Sequence, residues 1–87
     1  MTYKLYIGSN NTTGKIELDL IEQKLNEVFD GYTIEHATGY WKGVKENNVL
    51  ITVASDESTV INVIKRLKKY LKQDAIAYHK VDEMRFI

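Results

Sequence analysis

The segment 49–71 changes its apolar pattern once, and this change restricts the folds open to the chain. Residues 49–53 form an almost unbroken apolar run, which is typical of a strand at the centre of a sheet. The apolar residues that follow recur at the spacing of one helix face, namely Val60, Ile64, Leu67 and Leu71. We expect Ser55 to cap this helix, with Asp56 and Glu57 in its first turn complementing the helix dipole. A buried strand that leads into an amphipathic helix indicates a sheet with helices layered on it.

The first half of the chain shows the same succession of a strand and a helix. The residues from Tyr3 to Ile7 alternate between two sides, which predicts a strand covered on one face. A stripe of apolar residues at helical spacing follows: Leu18, Ile21, Leu25 and Val28, with Phe29 beside them. Asp30 and Gly31 have the composition of a turn, so we expect the helix to end there.

Three further strands complete the predicted fold. The second runs from Tyr32 to Trp41. The polar segment "WKGVKENN" contains Gly43 and the pair Asn47 and Asn48, and it suits a hairpin connection to the third strand, "VLITVA". The stretch "AIAYHKV" is the last extended segment, followed by "DEMRFI". The order β-α-β-β-α-β predicts an α+β fold of the ferredoxin-like plan, a four-stranded antiparallel sheet with two helices on one face.

Length and composition limit the functions to consider. With 87 residues, the chain is expected to form one domain, residues 1–87, with a single core. It contains no cysteine, so disulfide bonds and thiolate chemistry are excluded. Lysine plus arginine and aspartate plus glutamate number 12 each, so no net field attracts nucleic acid or an anionic membrane. No window resembles a secretion signal or a membrane span, so we expect a cytoplasmic protein without a membrane partner.

The segment "IGSNNTTGK", residues 7–15, stands between a strand and a helix, where a phosphate-binding loop would lie. Its match to G-x-x-x-x-G-K-[ST] fails twice. Gly8 and Gly14 are separated by five residues, and Ile16 stands where a magnesium-binding hydroxyl is required. We therefore expect no hydrolysis of ATP or GTP, although the backbone and hydroxyl groups of this segment are candidate donors to an anion.

The sheet face opposite the helices is expected to be rich in aromatic rings. The residues expected on it come from the first and the outer strands: Lys4, Tyr6, His36, Tyr40 and Tyr78. Such a face must be solvated, paired with another subunit or used to hold a ligand. The edge strand 32–41 has no proline and few charges, so it lacks the features that discourage pairing. Together these features predict a homo-oligomer, either a dimer or a larger closed assembly.

One local resemblance concerns nucleic acid. The segment "KLYIGSN" is similar to the first-strand motif of RNA-recognition domains, in which a ring on that strand stacks on a base. Those domains carry further stacking aromatic residues on the third strand, whereas "NNVLITVAS" has none. Nucleic acid is therefore not expected as a partner.

A second resemblance extends over nearly the whole chain. The segments "LYIGSNN", "GYTIEHATGYWKG" and "RFI", with the elements between them, resemble a family of small uncharacterised bacterial and phage proteins, a domain of unknown function with this ferredoxin-like plan. The resemblance implies a fold and no particular chemistry. By size, neutrality and aromatic content, the chain is also loosely similar to small phage proteins that oligomerise and sequester nucleotide messengers of bacterial immunity in pockets between subunits.

Signatures of catalysis are weak. His36 and His79 are the only histidines, and Asp82 and Glu83 near His79 do not have a diagnostic zinc-ligand spacing. No nucleophile has a visible base. We therefore expect no enzyme, no catalytic residue, no cofactor and no metal. A histidine or a tyrosine that handles a proton in a small oligomeric enzyme stays open as an alternative.

The predicted function is a non-catalytic homo-oligomeric binding protein for a small, planar, anionic ligand, such as a nucleotide or a nucleotide-derived signal. In a phage, such a protein would act as an anti-defence sponge. Aromatic rings offer stacking area, and hydroxyl, amide and ammonium groups offer donors to phosphate. The predicted ligand-binding residues are Tyr6, Ser9, Asn10, Asn11, Thr12, Tyr40, Trp41 and Lys42. A second alternative is a protein-binding inhibitor or adaptor that uses the open sheet face and the edge strand.

Overall fold

The computed structural model describes residues 1–9, 15–81, 85 and 87. Its elements follow one another in the predicted order: β1 (Thr2–Ile7), α1 (Leu18–Asn26), β2 (Thr33–Trp41), β3 (Val44–Ala54), α2 (Glu57–Leu71) and β4 (Ala77–Val81). The four strands form one antiparallel sheet in the order β2-β3-β1-β4. This arrangement confirms the ferredoxin-like α+β fold and the central position of β1 and β3. No helix in the described part of the chain is long and apolar enough to cross a membrane.

One face of the central strands supplies the sheet side of the core. Tyr3, Leu5 and Ile7 of β1 are buried because alternate residues of a strand point to the same face. Lys4 and Tyr6 lie between them on the opposite, open face, where Tyr6 is exposed. The β3 residues that face the core are Val49, Ile51 and Val53. Each leucine or isoleucine removed from water stabilises the fold by about 1.5–3 kcal/mol, so this layer holds the sheet and the helices together.

Helix α2 begins one residue later than predicted. Asp56, and not Ser55, is the N-cap. Its carboxylate accepts hydrogen bonds from Ser58 Oγ at 2.6 Å, Thr59 Oγ1 at 2.8 Å and Thr59 N at 3.0 Å. Both residue types cap helices, so the choice depends on which side chain reaches these donors. The hydrogen bonds from Ser58 and then Thr59 hold the pKa of Asp56 below its usual range.

Helix α1 ends before the last residue of its predicted stripe. The helix stops at Asn26, and the chain tightens: Val28 N donates to Leu25 O at 3.1 Å and Phe29 N donates to the same oxygen at 2.8 Å. Because the helical rotation no longer continues, Val28 turns outward and is exposed, contrary to the prediction. Phe29, expected beside the stripe, is buried in its place.

The β2–β3 hairpin turns earlier than the polar segment suggested. Its two-residue turn is Lys42 and Gly43, with φ of 51° and 79°, and it is closed by the pair Trp41 and Val44. Two consecutive positive φ values match the right-handed twist of the flanking strands and allow the tightest hairpins. Most of the expected connection is therefore strand, and β3 begins at Val44 instead of Val49.

As a result, the hairpin projects beyond the rest of the sheet. Ile7, the last residue of β1, pairs with Val49, so the β3 residues before Val49 pair with β2 alone. We call residues 37–48 the hairpin extension. Within the described chain it is a two-stranded ribbon with both edges unpaired, and such ribbons are marginally stable without further packing.

The strand register also corrects the predicted composition of the open face. Tyr78 is the partner of Leu5, and His36 is the partner of Val49, so both lie on the side that carries the helices. Tyr40 alternates with Trp41 and lies on that same side. The open face instead receives His79, the partner of Lys4. The prediction failed because an offset of one residue moves a side chain to the other face.

Candidate functional site

A groove of about 1000 Å³ lies at the end of the sheet where β1 stops and the hairpin extension projects. Its walls are the end of β1 with Gly8 and Ser9, the hairpin extension, and the connection 73–75 between α2 and β4. The groove exists because β1 is shorter than its neighbour β3 at this end. Its volume is at the upper end of the range of small-molecule sites.

The structure brings four of the predicted ligand-binding residues to this groove. Tyr6, Ser9, Tyr40 and Trp41 belong to its lining. Lys42 stands in the hairpin turn, with its Nζ 5.8 Å from the centre of the Trp41 ring. Asn10, Asn11 and Thr12 lie outside the described residues. That these residues contact a ligand stays a prediction.

Two of the aromatic rings are well presented to solvent. Trp41 is 66% exposed and Tyr40 is 70% exposed, so most of each ring is available for contact. They are neighbours on an extended strand, so they point to opposite faces of the hairpin extension. A ligand or a second subunit that reaches the rim of the groove therefore meets an aromatic surface on either side of the ribbon.

Gln73, which was not among the predicted site residues, links the connection after α2 to the end of β1 in the wall of the groove. Its side-chain Nε2 donates hydrogen bonds to the carbonyl oxygens of Gly8 at 2.5 Å and Ser9 at 3.2 Å. Lys72, just before it, has left-handed backbone with φ of 53°, which ends α2 and turns the chain toward the groove. These two hydrogen bonds, which we call the Gln73 clamp, join residues that are more than 60 positions apart in the sequence. No local sequence pattern therefore predicts them.

A second contact ties the end of β1 to the hairpin extension. Ser9 Oγ donates a hydrogen bond to Asn47 O at 3.3 Å. The Asn48 side chain lies over Gly39, where a Cβ atom would collide with its Nδ2. Its Oδ1 is 3.5 Å from where a Cβ on Gly8 would stand. Glycine at position 39 thus leaves room for an amide group beside the groove.

Charge in the described lining is nearly balanced. Lys45 contributes one positive charge, and Glu46 and Asp74 contribute two negative charges. The lining therefore does not attract an anion by its net field, and recognition has to come from stacking and directed hydrogen bonds. Lys42 at the rim supplies a further cation.

Tyr6 and His79 form a closely coupled pair on the open face. The Tyr6 hydroxyl lies 2.7 Å from His79 Nε2, and the two rings are stacked, with centres 5.5 Å apart and planes at 21°. His79 Nδ1 is 3.2 Å from the carbonyl oxygen of Lys80. Tyr6 belongs to the lining of the groove, so the pair connects the groove with the open face.

Comparison with known proteins establishes a fold. No family model matches the chain, and no curated protein matches its sequence. Among solved structures, a DUF3240 family protein from Shewanella baltica OS155 matches with a TM-score of 0.70 and 12% identity, covering 99% of this chain and 94% of that one. CPII, a nitrogen regulatory PII-like protein from Thiomonas intermedia K12 bound to ADP, AMP and bicarbonate, matches with a TM-score of 0.64 and 18% identity over 99% and 96% of the two chains.

A phage SAM lyase in its apo state also matches, with a TM-score of 0.64 and 14% identity, over 88% of this chain and 75% of that one. At these identities the likeness shows the fold alone. The resemblance to small bacterial and phage proteins holds at this level, since one of these structures belongs to a family named only as a domain of unknown function and another comes from a phage.

Proposed function

We propose that this protein is a homo-oligomeric binding protein for a small, anionic, nucleotide-like ligand, held in the groove without being turned over. The observation that carries the proposal is that Tyr6 and Trp41 on the open-face side and Tyr40 on the opposite side line one groove of about 1000 Å³ together with backbone and amide groups. Planar rings offer stacking to a nucleobase, and the amides offer directed hydrogen bonds.

The fold comparison supports a ligand of this class. CPII, which shares the fold at 18% identity, is described as bound to ADP, AMP and bicarbonate. CPII supports the proposal as an example of this architecture with adenine nucleotides bound. In a phage, the same binding would remove a nucleotide signal of bacterial immunity from circulation.

The hairpin extension supports the homo-oligomer. Trp41 and Val44 are partners on one face of the ribbon, 66% and 63% exposed, and both ribbon edges are unpaired within the described chain. A second copy of the chain that adds a strand to an edge of this ribbon would pair its free backbone groups and leave the Trp41 ring to the groove. We expect a dimer or a larger closed assembly by light scattering at micromolar concentration, and a monomer mass unchanged by nucleotide would contradict this expectation.

The binding function is tested by mass spectrometry of the purified native protein. We expect a nucleotide-like compound to be carried over from the expression host and to be released unchanged on denaturation. Material from Gln73→Ala, in which the clamp on Gly8 and Ser9 is lost, should carry less of it, whereas Val28→Ala, an exposed change on α1, should carry the same amount. Absence of any bound compound, together with no response to a nucleotide panel in calorimetry, would favour the protein-binding alternative.

A second candidate function is a small enzyme of proton transfer, favoured by the Tyr6–His79 hydrogen bond. In such an enzyme, the Tyr6 oxygen would take a proton from the substrate as its own proton passes to His79 Nε2. A phage SAM lyase shares the fold at 14% identity, so SAM is the first substrate to test. Products found by chromatography with the native protein, and lost with Tyr6→Phe, would replace the binding proposal by this one.

A further inference from the structure

The direction of the Tyr6–His79 hydrogen bond follows from the other contact of the histidine. A backbone carbonyl only accepts hydrogen bonds, so the contact of His79 Nδ1 with Lys80 O places the ring proton on Nδ1. In the neutral imidazole, Nε2 then carries a lone pair. The Tyr6 hydroxyl must therefore donate to Nε2, at 2.7 Å.

This direction decides what Tyr6 offers to a ligand. A tyrosine hydroxyl has one proton, and in Tyr6 that proton is used by His79. The oxygen retains a lone pair and acts toward its surroundings as an acceptor. Tyr6 is 38% exposed and belongs to the lining of the groove, and the hydrogen-bonded pair lies at the surface. Stacking on His79 with the planes at 21° keeps the Tyr6 ring in this orientation.

The carboxylates of the groove have the same polarity. Glu46 and Asp74 belong to the lining, and ionised carboxylates accept hydrogen bonds without donating them. The Nε2 group of Gln73 already donates to the carbonyl oxygens of Gly8 and Ser9, so it is not available to a ligand. Tyr6, Glu46 and Asp74 are therefore acceptors in a lining that also contains Lys45, and a ligand group that faces one of these three acceptors has to supply a donor.

We propose that Tyr6, oriented by His79, selects a ligand whose planar ring carries an amino group, such as adenine, against a ring that carries a carbonyl oxygen at the same position. This inference rests on the proposed function and specifies its ligand class. An amino group donates a hydrogen bond to the Tyr6 oxygen, whereas a carbonyl oxygen would leave two acceptors facing each other without a proton between them. Sites built around one hydrogen-bond polarity reject the mismatched ligand strongly because their polar groups are then left unpaired.

The test compares AMP with IMP, in which a carbonyl oxygen replaces the amino group and the adjacent ring nitrogen carries a proton, by calorimetric titration of the intact protein. The native chain should bind AMP at least about tenfold more tightly than IMP, the ratio for one unmade hydrogen bond of about 1.4 kcal/mol. His79→Leu frees the Tyr6 proton, so the ratio should fall toward one as IMP gains relative to AMP. Tyr6→Phe removes the acceptor and should also bring the ratio close to one.

The ratio separates this role from a structural one. If Tyr6 and His79 merely support the groove, both variants weaken AMP and IMP equally and leave the ratio as it is, which overturns the inference. Tyr70→Phe, an exposed ring on α2 outside the groove, is the matched control and should leave the ratio unchanged. Equal affinities in the native chain overturn the inference and leave the proposed function standing, whereas failure of the native chain to bind either nucleotide overturns the inference and counts against the proposed function as well.

Discussion

The two ends of the sheet differ in what covers them. At the end that holds residues 2–5 of β1 and 51–54 of β3, which we call the covered end, both helices lie over the strands, and Leu5 and Ile51 are fully buried. In the hairpin extension, the same β2–β3 ribbon continues with no third strand among the described residues, and its largest side chains are exposed. The covered end therefore carries most of the stability of the fold, whereas the hairpin extension presents large exposed side chains in the described part of the chain.

The largest effect on the free energy of unfolding should come from a substitution at the covered end. Leu5→Ala removes a fully buried side chain from the centre of β1, and we expect it to lower the free energy of unfolding by about 2–5 kcal/mol. Val28→Ala, an exposed apolar change, is the control and should stay within about 0.5 kcal/mol. Urea denaturation followed by circular dichroism measures both. Similar losses for the two variants would show that burial does not distinguish these positions.

A smaller effect is expected at the hairpin turn. Gly43→Val places a β-branched residue at φ of 79°, where side chains crowd the backbone, and should cost about 1–2 kcal/mol. Lys42→Asn is the matched change, because asparagine tolerates the φ of 51° and suits this turn. It should leave stability unchanged or slightly raised in the same denaturation experiment. If Lys42 contacts the ligand, Lys42→Asn should lose nucleotide affinity while the turn stays intact.

The covered end was predictable and the groove was only partly so. The periods of the apolar residues in α2 and β1 follow from local geometry, and they predicted the order and layering of the elements. Asn47 and Asn48 are as turn-like in sequence as Lys42 and Gly43, so pairing decided which pair forms the turn. Register, set by that turn, then decided which rings share a face.

The residues of the groove also differ in whether the sequence could identify them. Tyr6 could be singled out because β1 alternates between two faces, and Trp41 because Gly39 and Gly43 flank it in the sequence. Gln73 could not, since its two hydrogen bonds depend on how the end of α2 meets the end of β1. His79 was considered for proton handling, but its partnership with Tyr6 depends on the register between β1 and β4. Contacts across the sheet are set by pairing and have no sequence spacing that could predict them.

Substitution of Trp41 should affect ligand binding far more than stability, unlike substitution of a buried residue at the covered end. Trp41 is the only tryptophan, so its fluorescence reports on the groove directly. A cyclic or ADP-ribose-type nucleotide should change the emission saturably. Trp41→Ala should abolish binding, keep the oligomer mass and change the unfolding free energy by no more than about 0.5 kcal/mol.

Tyr70→Ala is the control for Trp41→Ala, since Tyr70 is also an exposed ring but packs beneath Lys24 away from the groove. It should retain nucleotide binding. If Trp41→Ala instead dissociates the oligomer, the residue belongs to a subunit interface, and an unchanged emission with a broad nucleotide panel would count against the nucleotide ligand.

The smallest effects should appear at the extremes of pH, and both arise at the covered end. The pKa of Asp56 is lowered by hydrogen bonds from Ser58 and Thr59, so its contribution to stability is present above its ordinary value of 3.8 and is lost as the pH falls further. The pKa of Tyr3 is raised, chiefly by burial and then by the nearby Glu57 carboxylate, so its contribution is present below 10.0 and is lost as the pH rises through the higher folded value.

Two conservative variants distinguish the loss of stability at low pH, the acid arm, from the loss at high pH, the alkaline arm. Asp56→Asn keeps a capping oxygen without a charge, so its unfolding midpoint should lie close to that of the native chain near pH 7 and fall less steeply below about pH 4. Tyr3→Phe keeps the buried ring and should flatten the loss above pH 10 while leaving the acid arm unchanged. Thermal unfolding across the pH range measures both arms. If Asp56→Asn and the native chain lose stability in parallel below pH 4, groups other than the α2 cap govern the acid response, and the covered end would not account for it.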